Sequence, residues 1–263
     1  MTATTRLSLE DAEQGRIARI TLENPSKRNA LTPEMLESLA DICAEVAKED
    51  LRAVVVTGRD GAFSSGMHVE ALAAPSPGAA RRLIGLLHGA CHAMRALPVP
   101  VIARIEGPCI GGALELAASC DLRVAAETAV FAMPEVRLGI PSVIEAALLP
   151  RLVGWGKARE MVYLGRRYTA AEALEMGLVE RVVPLGDLDR AVEEWLADIL
   201  AAGPCAIRLQ KELVRLWEAL PPGEAIRAGV DFFARAFETD EPASRLGAAI
   251  EERELRRNRP GAR

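Results

Sequence analysis

PVIARIEGPCIGGALELAASCDLRVAA, residues 100–126, packs a strand, a glycine turn, a helix and a second strand into one short span. VPVIARIEG (99–107) is an apolar, β-branched run of the kind that forms a buried strand, ending at Glu106-Gly107. After a loop, Gly111-Gly112 opens a helix through ALELAAS, and DLRVAA (121–126) reads as the next strand. A strand, Gly-rich loop and helix follow one another again at 52–70, so the chain carries a loosely repeated unit. RIARITL (16–22), RAVVVTG (52–58) and ERVV (180–183) supply further strands. PEMLESLADICAEVAKED (33–50) has apolar residues at helical spacing, with Thr32 as N-cap, Pro33 at N1 and Glu34 in the first turn. Such alternation predicts an α/β class with the sheet faces covered.

Beyond about residue 186 the strand signals stop. Stretches 187–202, 204–219, 223–238 and 242–257 read as helices parted by Gly-Pro, Pro-Pro-Gly and Glu-Pro breaks. The expected organisation is an α/β core over 1–186 and a helical C-terminal domain over 187–263, whose amphipathic faces need either the core or another subunit.

With 263 residues, half of them apolar and 26% charged, the chain is long enough to bury a substantial core. Aromatic residues at 4% and a net charge of −5 argue against a nucleic-acid surface, which stacks rings and neutralises phosphates. A local basic pocket for a small phosphorylated ligand stays open. The five cysteines are widely spaced and form no CxxC pair, a pattern suited to reduced thiols. MTATTRLSLEDAEQG has no apolar core resembling a secretory signal, and no apolar run is long enough to span a bilayer. The expectation is a cytoplasmic protein with neither membrane nor nucleic acid as partner.

Chemistry concentrates in three segments. Two glycines at a helix start let another molecule approach the backbone, and the free N–H groups there favour an oxyanion. Glu115 lies about one turn after Gly112, among Leu114, Leu116, Ala117 and Ala118. A carboxylate in apolar surroundings is costly to ionise, which moves its pKa toward proton-transfer range. The plainer readings are the exposed face of an amphipathic helix or a carboxylate capping nearby backbone N–H groups. In AVFAMPEVRLGIPS (129–142), Pro134 fixes the backbone so that Glu135 follows a strand end at a rigid loop, where catalytic groups collect. An ordinary loop glutamate is the alternative. In RDGAFSSGMHVEAL (59–72) a Ser-Ser-Gly turn is placed to present the Met67 N–H, and two backbone donors from separate loops are what a thioester oxyanion hole needs.

Together these segments resemble the crotonase superfamily, also called the enoyl-CoA hydratase/isomerase family. The markers are NPSKRNALTPEM (24–35), AFSSGMHVEAL (62–72), residues 100–126, FAMPEVRLGIP (131–141) and RLVGWGKAREMVYLGRRYTAAEALEMGLVERVVP (151–184). The likeness runs from about residue 5 to 257. It implies a spiral of repeated ββα units and a C-terminal helical domain used in subunit contacts, with trimers or dimers of trimers. It also implies an oxyanion hole from the N–H groups of Met67 and Gly112. Hydratases of the family carry two glutamates, matched here by Glu115 and Glu135; isomerases typically keep only the later one. The pair therefore points to reversible hydration of a 2,3-enoyl-CoA, Glu115 activating water and Glu135 delivering the proton to Cα. An isomerase or a non-catalytic binding member of the family are the alternatives. No metal, flavin or nicotinamide is implied, coenzyme A being part of the substrate. The CoA portion is expected along 24–31 and 62–70, at Lys27, Arg28, Ala30, Ala62, Ser64, Ser65, His68, Val69 and Glu70, with Gly111 at the acyl end.

Two departures stand out. His68 occupies a position that is an aspartate in many members. After Glu135, the glycine-rich turn and Thr-Gln-Arg run common in relatives is replaced by PSVIEAAL (141–148), which brings Glu145, read as a helix-start carboxylate, near the acyl end. His88 and His92 have a spacing used by zinc but no evident third ligand. GWGK (154–157) lacks phosphate-loop spacing, and Ser64-Ser65-Gly66 is not a hydrolase elbow. RELRRNR (253–259) reads as a solvated helix end, or as a basic tail reaching a neighbouring subunit's CoA phosphates.

Overall fold

A computed structural model of the protein describes residues 3–73 and 76–257. Strand β1 (Thr4–Ala12) forms an antiparallel hairpin with β2 (Gly15–Glu23), paired from Thr4 opposite Glu23 to Ala12 opposite Gly15. β1 escapes a hydrophobic pattern because it is a sheet edge, most of its side chains being exposed. Its backbone pairing is reinforced instead by ion pairs such as Arg19–Glu10 at 2.8 Å and Arg6–Glu23 at 3.0 Å. Helix α1 (Pro33–Val46) follows, with the Met35 N–H donating to the Thr32 side chain as the cap requires. It buries Met35, Leu36, Leu39, Ile42, Cys43 and Val46.

β3 (Leu51–Gly58), the short α2 (Val69–Leu72), α3 (Pro77–Ala96) and β4 (Val101–Ile105) come next. β5 (Pro108–Ile110), α4 (Gly112–Ala118), β6 (Leu122–Ala126), β7 (Val130–Ala132), α5 (Leu149–Leu164), β8 (Arg167–Thr169), α6 (Ala170–Glu175) and β9 (Arg181–Val183) complete the α/β part. The larger sheet has the order β1-β2-β3-β4-β6-β9, parallel except for the hairpin, and β5-β7-β8 form a smaller sheet. Its inner strands are apolar without alternation, as strands covered on both faces are. β4 and β6 each enter the large sheet, and the strand after each, β5 or β7, turns into the small one before the chain goes helical. An isolated bridge between Ser64 and Cys109 gives the loop after β3 the same turn in vestigial form. The repeat is thus a ββα unit, and β5 and β8, three residues each, are too short to announce themselves by periodicity.

Helices α7 (Leu188–Ala201), α8 (Pro204–Ala219), α9 (Pro222–Ala236) and α10 (Glu241–Arg257) follow. Two compact units divide between Ala197 and Asp198, inside α7 and later than the expected 186/187 divide. Leu188, Ala191, Val192 and Leu196 are buried, which places most of α7 in the first unit. The basic run 253–259 ends outside the described residues. No helix among those described is long and apolar enough to cross a membrane.

Candidate active site

Helix α4 is buried along its whole length, so the exposed-face reading of Glu115 fails: this residue is 4% exposed. Gly111 caps the helix at φ 56° and ψ −123°, a conformation that disfavours a side chain. Its N–H donates to Ala132 Oin β7 at 2.8 Å, fastening the helix start to the small sheet. Burial drives the Glu115 pKa up to about 8. The Ala146 N–H, donating to Oε1 at 2.9 Å, works against that rise, and the charges of Glu135 and Glu145 add to it.

Glu135 opens a 3₁₀ turn (Glu135–Leu138) just past the end of β7. Burial raises its pKa too, while its own backbone N–H and the Ser142 hydroxyl, donating to Oε2 at 2.9 Å, lower it. A Cβ on Gly111 would fall 2.4 Å from Glu135 Oε1, so this carboxyl lies directly against the start of α4. The two glutamates, twenty positions apart in the chain, meet because β6 and β7 return the backbone to the Gly111 turn.

The third segment arrives from the loop after β3. Leu31 donates to Gly66 O at 2.8 Å and His68 to Leu31 O at 2.9 Å, a bridge that leaves the intervening Met67 N–H unengaged. Gly66, at φ 91°, admits no side chain: a Cβ there would sit 2.5 Å from Ile110 O and 3.8 Å from Gly112 N. The Met67 and Gly112 segments are therefore in close contact. Among the described residues neither N–H donates to a carbonyl. Met67, Gly111, Gly112, Glu115 and Glu135 line one cavity of about 110 Å³, walled by Ile84, Leu87, Leu138, Ile140 and Val143.

The remaining expected residues separate into three groups. Ser65 and Val69 also line the cavity. Lys27, Arg28 and Glu70 are exposed on the adjoining loops, with Lys27 4.0 Å from Glu70 and His68 Nδ1 2.9 Å from Glu70. Ala30, Ala62 and Ser64 are buried at 6%, 3% and 0% and belong to the scaffold. The Ser64 hydroxyl accepts from Gly66 N, and Ala62 O accepts from Asn29. Ser65 Oγ donates to Lys27 O at 2.9 Å, which laces the two loops together. Glu145 lies in the first turn of a 3₁₀ helix (Ile144–Leu148), as a helix-start carboxylate does, and it is buried there. It is 6% exposed, with His88 Nδ1 2.8 Å from its Oε1. His88 and His92 join no group of three or more metal-ligating side chains among the described residues.

A family model described as enoyl-CoA hydratase/isomerase matches residues 12–255. The chain belongs to the enoyl-CoA hydratase/isomerase family. It is 43% identical over 198 residues to YngF of Bacillus subtilis, covering 74% of this chain and 76% of that protein. The crystal structure of enoyl-CoA hydratase from Bacillus anthracis superposes with a TM-score of 0.88 at 31% identity, covering 94% of this chain and 96% of the other. A Thermobifida fusca structure in complex with CoA matches at a TM-score of 0.80 and 33% identity, over 88% and 93% of the two chains. The fold is accordingly the crotonase-like one.

Several residues of the cavity and its supports were invisible as such in the sequence. Ser142 and the Ala146 N–H hold the two carboxyls, and Ile84 and Leu87 wall the cavity from α3. The i, i+3 pairing of Ile84 and Leu87 marks a helix face, though nothing local says what that face meets.

Proposed function

We propose that the protein is an enoyl-CoA hydratase, adding water reversibly across the 2,3 double bond of an enoyl-CoA thioester. The observation that carries this reading is the convergence of two raised-pKa carboxyls, Glu115 and Glu135, on a cavity shared with the free N–H groups of Met67 and Gly112. The thioester oxygen, seated on those two donors, gains negative charge as water attacks Cβ; losing one such donor typically costs about 100- to 1,000-fold in rate. Glu115 takes a proton from the attacking water and Glu135 gives one to Cα, so the product holds the elements of water and the pair keeps a single proton. A base with a pKa of about 8 suits work near neutral pH. The working arrangement, with Glu115 ionised and Glu135 protonated, has one proton between the two carboxyls. The pH profile therefore belongs to the pair. These steps use only side chains and backbone of this chain.

The CoA-bound Thermobifida fusca relative supports an acyl-CoA substrate, and the loops at 24–31 and 62–70 are the candidate track for its CoA portion. Assembly into trimers or dimers of trimers is part of the proposal, as is action in the cytoplasm. Ile226, Val230, Phe233 and Phe237 form an exposed apolar row on one side of α9, as a subunit contact would. Sedimentation of the protein, and of Phe233→Asp, tests the assembly: a monomeric wild type removes it.

The activity is tested with a panel of trans-2-enoyl-CoA thioesters, following loss of the conjugated absorbance. Glu115→Gln and Glu135→Gln should each lose about 100- to 10,000-fold. Full turnover by both variants would remove the proposed site. Double-bond migration as the product, lost only in Glu135→Gln, would make the protein an isomerase.

A further inference from the structure

Glu145 sits in the PSVIEAAL segment, in a 3₁₀ turn (Ile144–Leu148) packed against both α3 and α4. Three features of that turn are unusual. Ile144, a β-branched residue, adopts φ 37°, a left-handed conformation that such residues rarely tolerate. Glu145 is buried, and its Oε2 has no hydrogen-bond partner among the described residues. Its Oε1 meets Nδ1 of His88, whose side chain is 55% exposed at the surface of α3. The next residue, Ala146, supplies the N–H that holds Glu115 Oε1. A strained backbone and a half-satisfied buried carboxyl persist only where surrounding contacts hold them, and they concentrate at working sites.

We propose that Glu145, anchored by His88, is a positioning residue for Glu115: it pins the strained turn whose N–H holds the Glu115 carboxyl and sets a like charge beside it. Among the described residues, the titratable groups around this cluster include His92, whose ring centroid is 6.0 Å from that of His88. Glu115 comes from α4, His88 and the buried Cys91 from α3, and Glu135 from across the cavity. The charge of Glu145 acts on Glu115 in the same sense as that of Glu135, favouring the protonated form. His88 links the pair to solvent. With Nδ1–H donating to Oε1 it stabilises the Glu145 charge whether the ring is neutral or cationic. Burial is the main reason Glu115 is a weak acid, and the Glu145 charge weakens it further.

The inference rests on Glu115 being a working member of the proposed site, and its test does not need turnover. The carbonyl stretch of the protonated Glu115 carboxyl, assigned by its loss in Glu115→Gln, is followed by infrared difference spectroscopy as pH rises. In the wild type the band should vanish around pH 8. In Glu145→Gln, an isosteric change that keeps the turn and its Ala146 N–H in place, the midpoint should fall below the wild-type value, burial still holding it above the ordinary carboxylate range; in Glu145→Asp, which keeps the charge, it should stay nearer the wild-type value. An unchanged midpoint in a natively folded Glu145→Gln protein overturns the proposal. Should that variant not fold, His88→Leu at the exposed end of the pair replaces it. There a fall in the midpoint is expected, because a buried carboxylate stripped of its donor is neutralised. A rise or no change would overturn the proposal. A shifted midpoint in a protein that hydrates no enoyl-CoA would sink the function and leave the inference standing. Hydration with a fixed midpoint would do the reverse.

Discussion

Glu115 and Glu135 have the same side chain and opposite supports. Glu115 is deeper and held by one backbone N–H; Glu135 is shallower and held by a hydroxyl and its own backbone. Ser142→Ala removes a donor that favours the ionised form of Glu135, so the Glu135 pKa should rise. With the two carboxyls titrating as a pair, the kcat/KM profile should then move to higher pH. Gly111 tests geometry rather than charge. Gly111→Ala puts a methyl group where Glu135 Oε1 lies and forces a left-handed conformation on a residue with a Cβ. A displacement of about 1 Å should lower kcat about 100-fold, and the backbone strain should cost roughly 1–2 kcal/mol in urea denaturation.

At the scale of elements, the Met67 donor depends on two irregular loops, 24–32 and 59–68, that bond to each other and to β5. Asn29 organises them from a fully buried position at φ 57°. Its Oδ1 accepts from Asn24 N at 2.9 Å, and its Nδ2 donates to Arg59 O at 2.7 Å and Ala62 O at 2.8 Å. Asparagine also tolerates the left-handed conformation better than most residues. Asn29→Ala leaves those backbone groups without their partner and should cost about 2–4 kcal/mol. The loops carrying Leu31 and Met67 should loosen with it, so kcat/KM should fall more than global unfolding alone explains. Measuring turnover well below the denaturation midpoint separates the two effects. The NPSKRNALTPEM motif thus has a structural core, Asn24 and Asn29, as well as exposed basic residues.

For the whole molecule, the buried Glu115 ties stability to pH. Its carboxyl binds a proton more tightly folded than unfolded, its pKa moving from 4.5 to about 8, so between those values the native state holds a proton that the unfolded chain has lost. Stability should therefore fall as pH rises through that window. Glu115→Gln keeps the acceptor for Ala146 and lacks the titration. Urea midpoints of the two proteins should agree most closely below the window and diverge above it, with the variant the more stable. Equal slopes with pH in both proteins would contradict the burial of this carboxyl.

How much of this was legible in the sequence follows from the range of the forces involved. Apolar periodicity, caps and glycine turns act over a few residues, so 16–22, 52–58 and 100–126 declared their strands, and Thr32 and Gly111-Gly112 their helix starts. The glutamates and the turn before Met67 could be named because their residue types and motifs are local. β1 was missed because an edge strand is held by backbone pairing and ion pairs rather than by an apolar face. Glu145 was legible as a helix-start carboxylate because a helix start is local, whereas its burial was not, since His88, 57 positions away, and the walls of α3 and α4 come from elsewhere in the chain. What only the tertiary structure decided is which carboxyls lose water and which backbone N–H groups are left free beside them. Desolvation and hydrogen-bond satisfaction depend on what packs around a group, and around Glu115 those neighbours come from the loop after β3, from α3 and from the turn at Ile144–Leu148, all separate from α4 in the chain.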